Sequence, residues 1–235
     1  MDMAQSVSAS TKRGTALEVS HNLNGQRLGR KGRVTRDRII AVAQEIIEDS
    51  PEPMITLSEI ARRAELRMAS LYVYFGDMTA LILALLEPVL ATAEAEYVHM
   101  LRDHWPDEKL GEKCHEFVTA YYRFWMKHSR LLHLRNHLSE RSDVRLMEQR
   151  VRSAQPLLIL LAKQMGSTSE IRATPLTSMA TALFTGLERV VTVTTDELVT
   201  AAGEGTPNPP AYLVEAEARL FELGIRDYRR LAELG

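Results

Sequence analysis

Residues 56–75, TLSEIARRAELRMASLYVYF, hold two short apolar repeats joined by three residues, and this spacing narrows the possible folds more than any other feature. Thr56 opens the first repeat as a cap, with Glu59 three residues on to close a capping box. Leu57, Ile60, Ala61 and Ala64 then share one helical face. Glu65 to Arg67 form the joint, and a second short helix opens at Met68. On it Leu71 and Phe75, four apart, point back toward Ile60. A longer helix precedes the pair from Thr35 to about Glu48, carrying Ile39, Ile40, Val42, Ala43, Ile46 and Ile47. Two short helices around a tight turn, after a longer one, make a helix-turn-helix unit.

The rest of the chain has no alternating strand pattern, so the fold class expected is all-α. A long helix is expected from Asp77 to about Arg102, kinked at Pro88. Further helices are expected over about 108–128, 130–139 and 143–165, the last interrupted by Pro156. The segment GSTSEIRATP reads as a loop, 175–200 as an apolar helix, GEGTPNPP as a break and 211–233 as the last helix. DSPEP separates the first helix from the second. Three domains follow: 1–31, a disordered arm with a basic end; 32–80, the helix-turn-helix unit; and 81–235, a helical domain.

The net charge of -2 argues against a uniformly basic nucleic-acid coat, so local charge matters more than the total. Arg27, Arg30, Lys31, Arg33, Arg36 and Arg38 crowd into one run with Asp37 as its only acid. That run reads either as a DNA-backbone contact or as a solvated tail. Cys114 is the only cysteine, which excludes an intramolecular disulfide and fits a reducing compartment. No apolar run approaches the roughly 20 residues that span a bilayer, and the first thirty residues lack a secretory h-region. A cytoplasmic protein with no membrane partner is expected.

The major groove admits an α-helix whose first side chains reach base edges. Arg67, Met68, Ser70 and Tyr72 are placed for the outer surface, and the Tyr74 hydroxyl for a phosphate. The whole stretch TLSEIARRAELRMASLYVYFGDMTALI resembles the DNA-binding signature of TetR-family (tetracycline-repressor-like) transcriptional regulators. The residues carrying that likeness are Thr56, Ile60, Ala61, Ala64, Ala69, Ser70, Tyr72, Tyr74, Phe75 and Leu81, within a match over 33–82 that begins at Arg33. Three positions depart from the signature. Glu65 stands where the family has Gly; a left-handed backbone there costs a non-glycine residue roughly 1–2 kcal/mol. Arg67 replaces a Ser or Thr and is expected to add a phosphate or guanine contact. Met78 replaces a phosphate-binding Lys, which should flatten the salt dependence by about one unit of slope.

The resemblance implies a ligand-responsive regulator, by family habit a repressor, that binds double-stranded operator DNA as a homodimer and responds to a small-molecule effector. It implies no cofactor. Its dimer would form through the last two helices, whose apolar faces include Leu183, Phe184, Leu187, Val190, Val191, Leu220, Phe221 and Tyr228. The same faces also fit an ordinary internal core. An effector pocket would lie among helices 81–165, where Tyr121, Phe124, Trp125, His128, Arg135, Asn136 and Met147 supply apolar walls and a few polar groups. Arg135 and Asn136 stand out, because a buried Arg needs an anionic or carbonyl partner. The effector class expected is apolar or aromatic with an acidic or carbonyl group.

An enzyme reading competes with this one. Glu96 with His99, and Glu112 with His115, repeat the Glu-x-x-His spacing of di-metal helical bundles across a hairpin. His133 and His137, four apart, offer a second metal pair, although Leu134 stands where a zinc protease has its Glu. Both Glu-x-x-His pairs lie off the apolar stripes with no inward-facing Glu on other helices to complete a site, and there is no Gly-x-Ser-x-Gly elbow or Gly-rich phosphate loop, so catalysis is not expected.

Overall fold

The computed structural model describes residues 27–49, 55–141, 143–166, 175–196 and 210–234. Most of the basic-ended arm, the DSPEP break, and most of the GSTSEIRATP and GEGTPNPP segments lie outside the described residues. Every regular element within them is helical: α1 (Arg30–Asp49), α2 (Leu57–Arg63), α3 (Met68–Tyr72), α4 (Met78–Glu96), α5 (Leu110–Glu140), α6 (Val144–Gln164), α7 (Pro175–Thr195) and α8 (Pro210–Leu234). Two short 3-10 turns, Val98–Leu101 and Asp107–Lys109, lie between α4 and α5.

Four departures from the sequence expectation bear on the fold. First, α1 starts at Arg30 and not at Thr35, so most of the basic run is helical. Leu28 explains the extension, since its side chain is buried just before the first turn and the Arg33 amide donates to the Gly29 carbonyl. Second, α4 stops at Glu96, six residues short of Arg102. Tyr97 leaves the helix at φ -151 while its ring packs against Tyr121 and Phe124, with ring centres 5.0 and 5.1 Å apart. Third, the helices expected at 108–128 and 130–139 are one, α5, broken only locally at His128 (φ -122, ψ 17). Fourth, α6 runs through Pro156 without interruption.

One apolar core runs from Ile39 in α1 to Ile225 in α8. α8 lies antiparallel against α5, with Phe221 5.8 Å from Phe117. Arg229 secures the far end by donating to the Gln164 and Trp105 carbonyls and to Asp107. α4 is also a correction: it is long and apolar enough, by length and composition alone, to cross a membrane. Its Leu81, Ile82, Leu85 and Leu86 are buried in the core instead.

Candidate functional site

The first three helices are built around a small apolar centre. Ile60, Ala61, Ala64, Leu71 and Phe75 are all buried, and burying Leu71 and Phe75 contributes about 1.5–3 kcal/mol each. The Arg36 guanidinium sits 5.3 Å above the Phe75 ring and ties α1 to the end of α3. Thr56 Oγ1 accepts from the Glu59 amide at 3.2 Å, but the Glu59 carboxylate turns away from the cap. It accepts from Arg62 and Arg63, whose side chains hold its carboxyl down to about 2. The capping box is therefore half formed, and Glu59 is shared between two arginines of α2, one of which also reaches Asp49 at the end of α1. The turn passes through Glu65 at φ 53, the left-handed region that the signature fills with Gly.

Beyond that turn Arg67 caps α3 without a side-chain cap bond and is exposed, as are Ser70 and Tyr72. Tyr74 is half-buried against the core. Met68 is also half-buried and packs partly against the core. Arg33 is exposed on α1. On the same helix Arg30, Lys31, Val34, Thr35 and Arg38 line a groove of about 520 Å³.

Two acid-capped helix starts meet behind this unit. Asp77 caps α4 by accepting from the Ala80 amide at 2.8 Å, and it accepts from Arg145 Nη2 at 2.9 Å. Asp143 caps α6 by accepting from the Arg145 and Leu146 amides, and the Thr79 hydroxyl donates to its other oxygen. That hydroxyl, with the two amides, holds the Asp143 carboxyl below the usual carboxylate range. The sequence reading missed Thr79, Asp143 and Arg145. The only signal for them was an Asp just before each apolar repeat.

Most of the residues expected to line an effector pocket lie in the interior. Tyr121, Phe124, Trp125, Arg135 and Asn136 are buried, and His128 is half-buried with Nε2 unpartnered. Tyr97 joins them, with its hydroxyl pushed up by desolvation. Met147 does not belong: it is 39% exposed, because Leu146 takes the inward position on α6. It lines an outer cleft of about 600 Å³ together with Ser139, Val144 and Val151.

The expected dimer faces are corrected more heavily. Leu183, Phe184, Leu187, Val191 and Phe221 are buried inside the single chain, and Val190 and Tyr228 are half-buried. Only Leu220 faces outward, on a stripe with Tyr212, Leu223 and Leu231. Where α7 and α8 touch, the buried Glu217 carboxyl lies over Gly186, whose missing Cβ would stand 2.9 Å from Oε1. Burial raises that carboxyl to about 7.

The di-metal geometry is not assembled. Glu96 binds Lys127 at 2.9 Å, and the break at Tyr97 removes His99 from its helical register. His115 pairs with Glu215 at 3.3 Å, and Glu112 is exposed. His133 Nε2 lies 2.9 Å from the Thr195 hydroxyl, whereas exposed His137 faces Arg141. Among the described residues no group of three or more His, Cys, Asp or Glu side chains comes together to hold a metal.

No family model matches the chain, and no curated protein matches it. Among solved structures it is similar to a TetR-like transcriptional regulator from Rhodococcus sp. RHA1, with 21% identity over 88% of this chain and 99% of that one. The TM-score is 0.51. The likeness shows the fold: the chain has the all-α architecture of a TetR-like regulator.

Proposed function

We propose that the protein is a transcriptional regulator that binds a palindromic operator as a homodimer and is released from it by a small, largely apolar or aromatic effector. Repression is the mode this reading favours, and a cytoplasmic setting follows from it. The observation that carries the reading is the exposed Arg67–Ser70–Tyr72 surface, braced from behind by Ile60, Leu71 and Phe75. Tyr74, Thr56 and Arg33 fix the unit on the phosphates, while Arg67 and Tyr72 reach base edges. The basic groove on α1 adds sequence-independent affinity.

Dimerisation uses the outward stripe of α8, Tyr212, Leu220, Leu223 and Leu231, together with the small outer residues of α7, Ser178, Ala182 and Thr185. Small side chains on one helix let the larger ones of its partner approach closely. The effector acts by shifting populations, favouring one setting of α4 over the other. The joined starts of α4 and α6 carry that setting from the interior to the recognition helix. The test is a titration of labelled DNA flanking the protein's own gene, against scrambled DNA, across a salt series. Selective binding that weakens with salt and is lost in Arg67→Ala supports the reading. Identical affinity of Arg67→Ala for the selected site contradicts the role given to this surface.

A further inference from the structure

We propose, building on the effector-controlled reading above, that Arg135 is the receptor for the carboxylate of a small apolar or aromatic monoanion. Arg135 is 4% exposed, and its Nε and Nη2 both donate to one neutral oxygen, Asn136 Oδ1, at 3.1 and 3.0 Å. Its guanidinium lies 5.9 Å from the Trp125 ring centre. Among the described residues no carboxylate lies within ion-pair distance of it. Glu188, whose charge is felt at Arg135, is already paired with Arg150 at 3.0 Å.

A guanidinium cannot shed its proton to escape burial, so a buried one without a counter-ion is costly. Its fork matches two carboxylate oxygens, and a single unmatched cation calls for a single negative charge. A phosphate dianion would leave surplus negative charge inside. The aromatic rings of Tyr97, Tyr121 and Trp125 supply a body-binding wall on one side of this cation. A further buried polar atom, His128 Nε2, two turns earlier on α5 and beside Phe124, has no partner and remains to orient the ligand. Ser139, one turn past Arg135, is buried and lines the outer cleft between α5 and α6, which marks the way in.

The experiment uses the full chain and a panel of monocarboxylates: benzoate, phenylacetate and octanoate. Benzamide serves as the neutral match and phenyl phosphate as the dianion. Melting temperature and Trp fluorescence are read for the native chain, Arg135→Met and Arg135→Lys. At least one carboxylate should raise the melting point by several degrees and change Trp emission, with benzamide and phenyl phosphate weaker by roughly tenfold or more. Arg135→Met should lose the response and, without ligand, melt no lower than the native chain; Arg135→Lys should keep part of it. No response to any carboxylate at millimolar concentration overturns the proposal, as does equal binding by Arg135→Met or a marked loss of its ligand-free stability. Equal binding of phenyl phosphate overturns the carboxylate assignment. DNA binding is measured on the same samples: Arg135→Met should still bind, so failure of all variants on DNA would count against the regulator reading alone.

Discussion

Glu65 is a residue at odds with its backbone. At φ 53 a side chain crowds the carbonyl that glycine would leave clear. Glu65→Gly should therefore raise the unfolding free energy by about 0.5–1 kcal/mol after the added chain entropy is counted, as read from the urea midpoint. A lower midpoint would show that Glu65 makes compensating contacts. Glu217 is the opposite case, a well-placed backbone with a misfit charge. The folded carboxyl keeps its proton up to about pH 7, whereas the ordinary value is 4.5. Between those values the folded state holds more protons, so the stability from this group is full below pH 4.5 and is lost as pH rises through about 7. Glu217→Gln should be more stable than the native chain by about 1–3 kcal/mol near pH 8 and gain little near pH 5. A gain independent of pH would contradict a buried ionisable carboxyl.

Elements differ in how openly the sequence states them. The helix-turn-helix unit is legible because its rules are local: a Thr56 cap, a three-residue joint, and Leu71 and Phe75 aimed at Ile60. Element ends set by tertiary packing are not. Nothing in the neighbourhood of Tyr97 forbids a helix; the break comes from an aromatic cluster assembled from α5. His128 bends α5 without ending it, so one helix looks like two. The amphipathic faces of α7 and α8 reveal which side is apolar but not what covers it, and most of that face is covered by the chain's own core. The joint between α4 and α6 is also non-local, and it yields a prediction. Thr79→Val keeps the volume but removes the hydroxyl that Asp143 accepts, at a cost of about 1 kcal/mol. Amide exchange should then speed up at the first turns of both α4 and α6. Faster exchange in α4 alone would mean that the two starts are not coupled.

At the scale of the molecule, the proposed function gives each protomer one recognition helix, and a palindrome needs two. Half-sites one DNA turn apart, about 34–36 Å, fit two units held by a common dimer interface. The proposed interface is the outward stripe on α8, and Leu220→Glu with Leu223→Glu puts two charges into it. Sedimentation should show a folded monomer with native helix content and weakened DNA binding. A double variant that remains dimeric would move the interface elsewhere.

The role proposed for the surface of α3 is to read DNA sequence. Selection of the full chain against a pool of randomised duplexes, followed by binding of the enriched pool across a salt series, tests it without assuming where the operator lies. The expected result is an enriched two-fold motif with half-sites about one helical turn apart, bound more weakly as salt rises, and lost from the pool when Arg67 and Tyr72 are replaced by Ala. No enrichment, or the same motif enriched by the Arg67→Ala and Tyr72→Ala double variant, would contradict it.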